Sequence, residues 1–187
     1  MLITHVHLKN WRNFREADVP LFARTYVIGP NASGKSNLLD VFRFLRDVSK
    51  PNGGGLQKAV DDRGGISKLR CLHARQDTEV RIDVHLAESA DATEPTWKYI
   101  LGFKPEGKGA QRLLVSTEEV WHAGRRLISR PSDADKKDIP LLTETHLEQI
   151  QANVKFREIA EFFSNVTYLH LVPQLLKYGD KIGGATP

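Results

Sequence analysis

Eight consecutive residues, Gly29-Pro30-Asn31-Ala32-Ser33-Gly34-Lys35-Ser36, follow the pattern G-x-x-x-x-G-K-[ST]. Glycines let the backbone curl until its N–H groups face inward as a concave nest for an anion. Lys35 then reaches the β- and γ-phosphates of a nucleotide, and the Ser36 hydroxyl becomes a ligand for Mg²⁺. A helix opening at this point adds the positive end of its dipole to the same spot. The alternative is a glycine-rich turn between a strand and a helix that holds no ligand.

Such a loop must follow a strand and open a helix. Thr25-Tyr26-Val27-Ile28 is a β-branched and aromatic run of the kind a buried parallel strand needs. Downstream, Leu38, Val41, Phe42, Leu45 and Val48 recur at helical spacing, with Asp40, Arg43 and Asp47 on the polar face. Pro51 and Gly53-Gly54-Gly55 end that helix. Ahead of the loop, Leu2, Thr4, Val6 and Leu8 alternate as a first strand. Lys9–Arg15 reads as a polar turn with two aromatics, and Ala17, Val19 and Leu21 as a hairpin return. A short helix is expected near Leu56–Val60.

The middle of the chain changes period. Val80, Ile82, Val84 and Leu86 alternate with polar residues, and Trp97, Tyr99, Leu101 and Phe103 alternate against Thr96, Lys98 and Gly102. Leu113–Val120 and Leu127-Ile128 flank a turn at Ala123-Gly124. Strands joined by short polar connections pair antiparallel. Thr145-x-x-Glu148 is a capping-box signature ahead of an apolar stripe from Leu147 to Phe163, with a break near Asn153. Val166–Val172 reads as a last strand, followed by Pro173-Gln174. The expected fold is therefore α/β, with parallel core strands around the phosphate-loop helix and an antiparallel β-sheet to one side.

The 187 residues are one domain or a piece of one, with 40% apolar and 27% charged residues. The single cysteine, Cys71, excludes an internal disulfide and fits a reducing compartment. No apolar run approaches the roughly 18 residues of a membrane helix, and the N-terminus alternates rather than forming a signal peptide. The expected location is cytoplasmic, with no membrane partner. A net charge of +4, with Lys and Arg spread along the chain, permits contact with DNA without arguing for it. His5 and His7 share a strand face but have no third ligand in sequence, so a surface pair is the favoured reading.

Several residue groups together resemble the SMC, RecF and OLD-like branch of ABC-type P-loop ATPases, a branch that includes bacterial predicted AAA-family ATPases. Leu8-Lys9-Asn10-Trp11-Arg12-Asn13-Phe14 is similar to that family's L-K-N-F-R-x-F turn, with Trp11 at the usual Phe. Gly29–Asp40 resembles its loop form, G-x-N-x-x-G-K-S-N-L-L-[DE], and Arg63-Gly64-Gly65 with Leu69-Arg70 resembles a segment common in its bacterial members. The resemblance implies ATP and Mg²⁺ as cofactors, bound by Gly29, Pro30, Asn31, Ala32, Ser33, Gly34, Lys35, Ser36 and Asn37. Arg12 and Asn13 would line the same site. It also implies a glutamine that contacts Mg²⁺ and senses the γ-phosphate; Gln174 matches that position better than Gln149 or Gln151. Lys35 and Gln174 would be the catalytic residues, and Ser36 and Gln174 the metal ligands.

The same family needs an apolar strand ending in Asp-Glu and an L-S-x-G signature, and neither occurs in these 187 residues. Residues 1–187 therefore read as the N-terminal lobe of an ATPase head, incomplete without a C-terminal lobe or partner chain. Residues 1–50 hold the hairpin, loop and helix; 79–130 the antiparallel region; 143–175 the helix, strand and glutamine loop. The resemblance implies a head-to-head dimer with ATP sandwiched, in DNA repair and maintenance or in phage defence, and no hydrolysis by this chain alone. The rival readings are a self-sufficient small P-loop kinase or NTPase, and a scaffold that binds nucleotide without hydrolysing it.

Overall fold

The structure, a computed structural model, describes residues 1–72, 77–107 and 112–169. Alternation of apolar and polar residues builds its largest element, a six-stranded sheet of β1 (Leu2–Trp11), β2 (Phe14–Pro20), β3 (Val80–Ala87), β4 (Trp97–Pro105), β5 (Leu113–His122) and β6 (Arg125–Arg130). The spatial order is β2-β1-β3-β4-β5-β6, and every pairing is antiparallel. The β1–β2 turn is tighter than the sequence suggested, because Trp11 already pairs with Phe14 and leaves only Arg12 and Asn13 between the strands.

One face of the sheet is the core. Val6 and Leu8, Ile82 and Val84, and Tyr99, Leu101 and Phe103 are fully buried there. Helix α1 (Lys35–Ser49) packs on this face through Val41, Phe44, Leu45 and Val48. Phe44 rather than Phe42 takes the central position, its ring 5.2 Å from Trp11 and 5.5 Å from Phe103. Phe163, near the end of the described chain, meets Tyr99 at 5.9 Å. The opposite face is polar: His5 and His7, the pair singled out above, bond to Asp18 and Glu16 of β2 at 2.9 and 3.2 Å.

Two short helices, α2 (Leu56–Asp61) and α3 (Ile66–Leu69), follow the glycine-rich segment, and α4 (Asp133–Lys137) follows β6. The stripe from Leu147 to Phe163 does not form one helix. Turns are followed by a 3₁₀ segment, Ala152–Phe156, and then by α5 (Arg157–Ser164). Thr145 and Glu148 do make the capping-box exchange, Thr145 N donating to Glu148 Oε1 at 2.5 Å and Glu148 N to Thr145 Oγ1 at 3.2 Å. Glu148 Oε2 also accepts from Leu56 N at 3.2 Å, so the carboxylate ties this segment to the start of α2 instead of opening a helix.

Burial outweighs these donors, and with the Glu144 charge nearby it pushes the Glu148 pKa up from 4.5 to about 7. A carboxyl whose folded pKa is raised favours folding while protonated, and that contribution is lost as pH rises through about 7. Asp47 and Asp135 act oppositely. Asp47 is half-buried and Asp135 buried, yet Arg46 and Arg63 hold Asp47, and Arg130 and Ser132 hold Asp135, below the usual carboxylate range. Their contribution is lost only under acid conditions. The native chain should therefore lose about 3 kcal/mol between pH 4.5 and 7.5 relative to Glu148→Gln, or roughly 5–10 °C in Tm. Parallel Tm–pH curves for the two proteins would contradict this.

Among the described residues, no parallel strand pairing is present around α1. Among the described residues Thr25–Ile28 pairs with no strand, and Tyr26 and Ile28 are 82% and 92% exposed. A buried parallel strand is covered on both faces and bonded on both edges, and none of the six strands is hydrogen-bonded to this segment. Residues 166–169 are irregular, and the remainder of the expected Val166–Val172 strand lies outside the described residues.

Candidate nucleotide site

The loop Gly29–Ser36 leads directly into α1, whose first residue is Lys35. Its curl uses two left-handed residues, Ala32 at φ 63° and Gly34 at φ 101°. Glycine is required at 34 for a second reason: a Cβ there would stand 2.6 Å from Asn13 Nδ2 and 2.8 Å from Phe14 Cζ. Residues Asn31–Asn37 line a concavity of about 230 Å³ at the N-terminus of the helix. Lys35 Nζ donates to the carbonyl oxygens of Gly29 at 2.7 Å and Pro30 at 2.6 Å. The ammonium is thus folded back over its own loop, held by neutral acceptors that an anionic phosphate would outcompete. Ser36 is exposed at the mouth of the concavity.

The β1–β2 turn forms one wall. Asn13 Nδ2 contacts the Ser33 carbonyl at 3.5 Å, and Asn13 Oδ1 accepts from Asn37 Nδ2 at 2.8 Å. Trp11, fully buried, donates its indole N–H to the Asn37 carbonyl at 2.7 Å. Arg12 behaves differently from Asn13: its guanidinium donates to Asp40 Oδ2 at 2.8 Å, one turn down α1. Asn13 therefore touches the loop, whereas Arg12 braces the helix behind it. Asp40 also accepts from Arg63 Nε and Nη2, both at 3.1 Å. The sequence assigned Asp40 to a solvated polar face and gave Arg63 no structural partner; their spacing of 23 residues carries no local signal.

Gln174 lies outside the described residues. Of the other two glutamines considered, Gln149 donates to Glu144 at 2.8 Å. Cys71 is buried, and its backbone N–H donates to the Asn10 carbonyl.

A family model described as "AAA domain, putative AbiEii toxin, Type IV TA system" matches residues 24–174, from just before the loop to the expected glutamine. The chain belongs to that family. Relatives of this AAA domain include proteins named DNA replication and repair protein RecF. The one from Agathobacter rectalis is 32% identical over 91 residues, covering 48% of this chain and 25% of the relative. That of Roseiflexus castenholzii is 31% identical over 113 residues, covering 54% of this chain and 29% of the relative. That of Clavibacter sepedonicus is 30% identical over 91 residues, covering 48% and 22%. The matched stretches thus span about a quarter of the length of these curated relatives. Together the matches identify an SMC/RecF-like P-loop ATPase domain. Among the described residues, no helix is long and apolar enough to cross a membrane.

Proposed function

We propose that this chain binds Mg-ATP through Gly29–Ser36 as the first lobe of an SMC/RecF/OLD-like ATPase head. The observation that carries the reading is the loop itself, with Lys35 held over two carbonyls and Asn13 packed against Gly34. The residues fit a nucleotide. The concavity sits where helix N–H groups point outward, and the lysine needs only to exchange its carbonyl partners for phosphate oxygens. Ser36 would hold Mg²⁺ together with Gln174, and the ion would neutralise charge on the β- and γ-phosphates. Asn13 would flank the nucleotide; Arg12 would act from behind, through Asp40.

Hydrolysis would require the Asp-Glu strand and the L-S-x-G signature of a second lobe or partner chain. The exposed apolar run supports this. Phe22 is 64% exposed, and with Tyr26 and Ile28 it offers an apolar surface that a second lobe would cover. Parallel core strands would then form around 25–28. Two such heads would sandwich ATP, in the cytoplasm, and closure would drive a DNA-acting or effector element. The RecF relatives favour DNA repair and maintenance; the family description favours a toxin–antitoxin or phage-defence setting.

Steady-state turnover by the purified 187-residue chain tests this division of labour. Turnover below about 0.01 per second is expected, far under the typical enzyme value of about 10 per second. Turnover near that typical value, lost in Lys35→Ala, would make the chain a self-sufficient P-loop enzyme.

A further inference from the structure

The carboxylate of Asp40 is shared. Its Oδ2 accepts from Arg12 Nη2 at 2.8 Å and from Arg63 Nε at 3.1 Å, while Oδ1 accepts from Arg63 Nη2 at 3.1 Å. Arg63 is itself fixed. Its side chain is 5% exposed, it donates to the Ala59 carbonyl at 2.8 Å and to Asp47 Oδ2 at 3.1 Å, and it lies over the Phe44 ring at 5.3 Å. Such a planar fork, satisfied on several sides, is pre-organised and holds its partner in one orientation.

At the other end of the bridge is a strained turn. Asn10 and Arg12 both have positive φ, 57° and 53°. Residues other than glycine adopt that geometry only where surrounding contacts enforce it. Backbone bonds on one side supply part of that, from Arg12 N to the Leu69 carbonyl and from Cys71 N to the Asn10 carbonyl. The Arg12 side chain adds a charged tie to α1 beside the bond from the Trp11 indole to the Asn37 carbonyl, and the next residue, Asn13, meets Ser33, Gly34 and Asn37.

We propose that Asp40 is a positioning residue for nucleotide binding: held by Arg63, it grips Arg12 and so sets Asn13 against the phosphate loop. Sites that bind phosphate depend on groups held within about half an ångström by a supporting layer of side chains. Asp40 acts in that layer, one helical turn along α1 from Ser36 and out of contact with the ligand. The proposal rests on the nucleotide-binding reading given above.

The test is a double-mutant cycle on the Kd for Mg-ATP, with Asp40→Asn, Asn13→Ala and the pair, each first shown to be folded by its melting curve without nucleotide. Asp40→Asn should weaken binding about tenfold in the wild-type background and less than about threefold once Asn13 is alanine, because residues acting through one another are not additive. A purely structural Asp40 would lower Tm and leave Kd unmoved, or shift Kd equally in both backgrounds; either result overturns the proposal. Arg12→Gln breaks the same bridge while sparing the Arg63–Asp40 pair, and it should reproduce the non-additive loss if Asp40→Asn does not fold. Wild-type protein that binds no Mg-ATP would overturn the nucleotide reading itself. Wild-type binding with an unchanged Kd in both bridge variants would overturn only the role of Asp40.

Discussion

Lys35→Ala is expected to erase most of the thermal stabilisation that Mg-ATP confers. At a ligand concentration about 100 times Kd, binding stabilises the native state by about 2.7 kcal/mol. At 2–4 °C per kcal/mol for a chain of this size, that is a rise of roughly 5–10 °C in Tm. In the proposed complex the Lys35 ammonium would contact two phosphates, and its removal would take away charge-assisted bonds worth about 1.5–3 kcal/mol each. Affinity should fall about 100-fold or more. At the same nucleotide concentration the variant would then gain only about 0.4 kcal/mol, or roughly 1 °C. The comparison must be between shifts and not absolute melting points, because the alanine also deletes the two bonds to Gly29 and Pro30 that close the empty loop. An equal shift in both proteins would place the nucleotide elsewhere.

Glu118→Ala should have the largest effect on the fold. Glu118 is fully buried on the core face of β5, where it accepts from Tyr99 Oη at 3.1 Å, Arg130 Nη1 at 3.0 Å, His146 N at 2.8 Å and Leu147 N at 3.1 Å. Arg130 in turn binds Asp135 and the carbonyls of Glu144 and Leu141. The network anchors the connection between β6 and residue 147 to the sheet. It also explains why burial and the neighbouring carboxylate push the Tyr99 hydroxyl pKa far above its usual value. Alanine would leave a buried guanidinium and two backbone N–H groups short of an acceptor, a change that costs about 3–5 kcal/mol. The expected loss is roughly 10 °C in Tm, measured by thermal or urea unfolding. A loss under about 1 kcal/mol would mean that the network relaxes onto water.

The two predictions draw on residues of very different legibility. The phosphate loop could be read directly because its chemistry is local: eight adjacent residues carry the turn, the cation and the hydroxyl. The antiparallel region was legible because Val80, Ile82, Val84 and Leu86, and Trp97, Tyr99, Leu101 and Phe103, recur at every second position, and each set forms a strand. Glu118 was not legible. A register shift opposite Gly102/Phe103 changes the phase of β5, so that Val115 and then Glu118 and Val120 face inward. An acid in the core reads as a surface residue until its four donors, from 12 to 29 residues away, are brought together.

Local signals also misled where tertiary context decided. Thr25–Ile28 has the composition of a buried strand, but strand formation depends on neighbours, and here the Tyr26 and Ile28 side chains are exposed. The apolar stripe at 147–163 has helical spacing, yet Glu148 bonds to Leu56 N and Asn153 Nδ2 bonds to the Leu147 carbonyl at 3.1 Å. Those contacts favour turns over a continuous helix. Arg12 and Asn13 were legible as neighbours of the loop only through family resemblance. The structure separates them, Asn13 against the loop and Arg12 on Asp40.

The most direct test is a calorimetric titration of the wild-type chain with Mg-ATP, followed by assay of the same sample for released phosphate. One nucleotide per chain, a micromolar Kd and no phosphate above background is the expected result, as for a first lobe that binds but does not hydrolyse. Absence of a binding isotherm at millimolar Mg-ATP would contradict the account, because the loop, Lys35 and Ser36 would then hold no nucleotide.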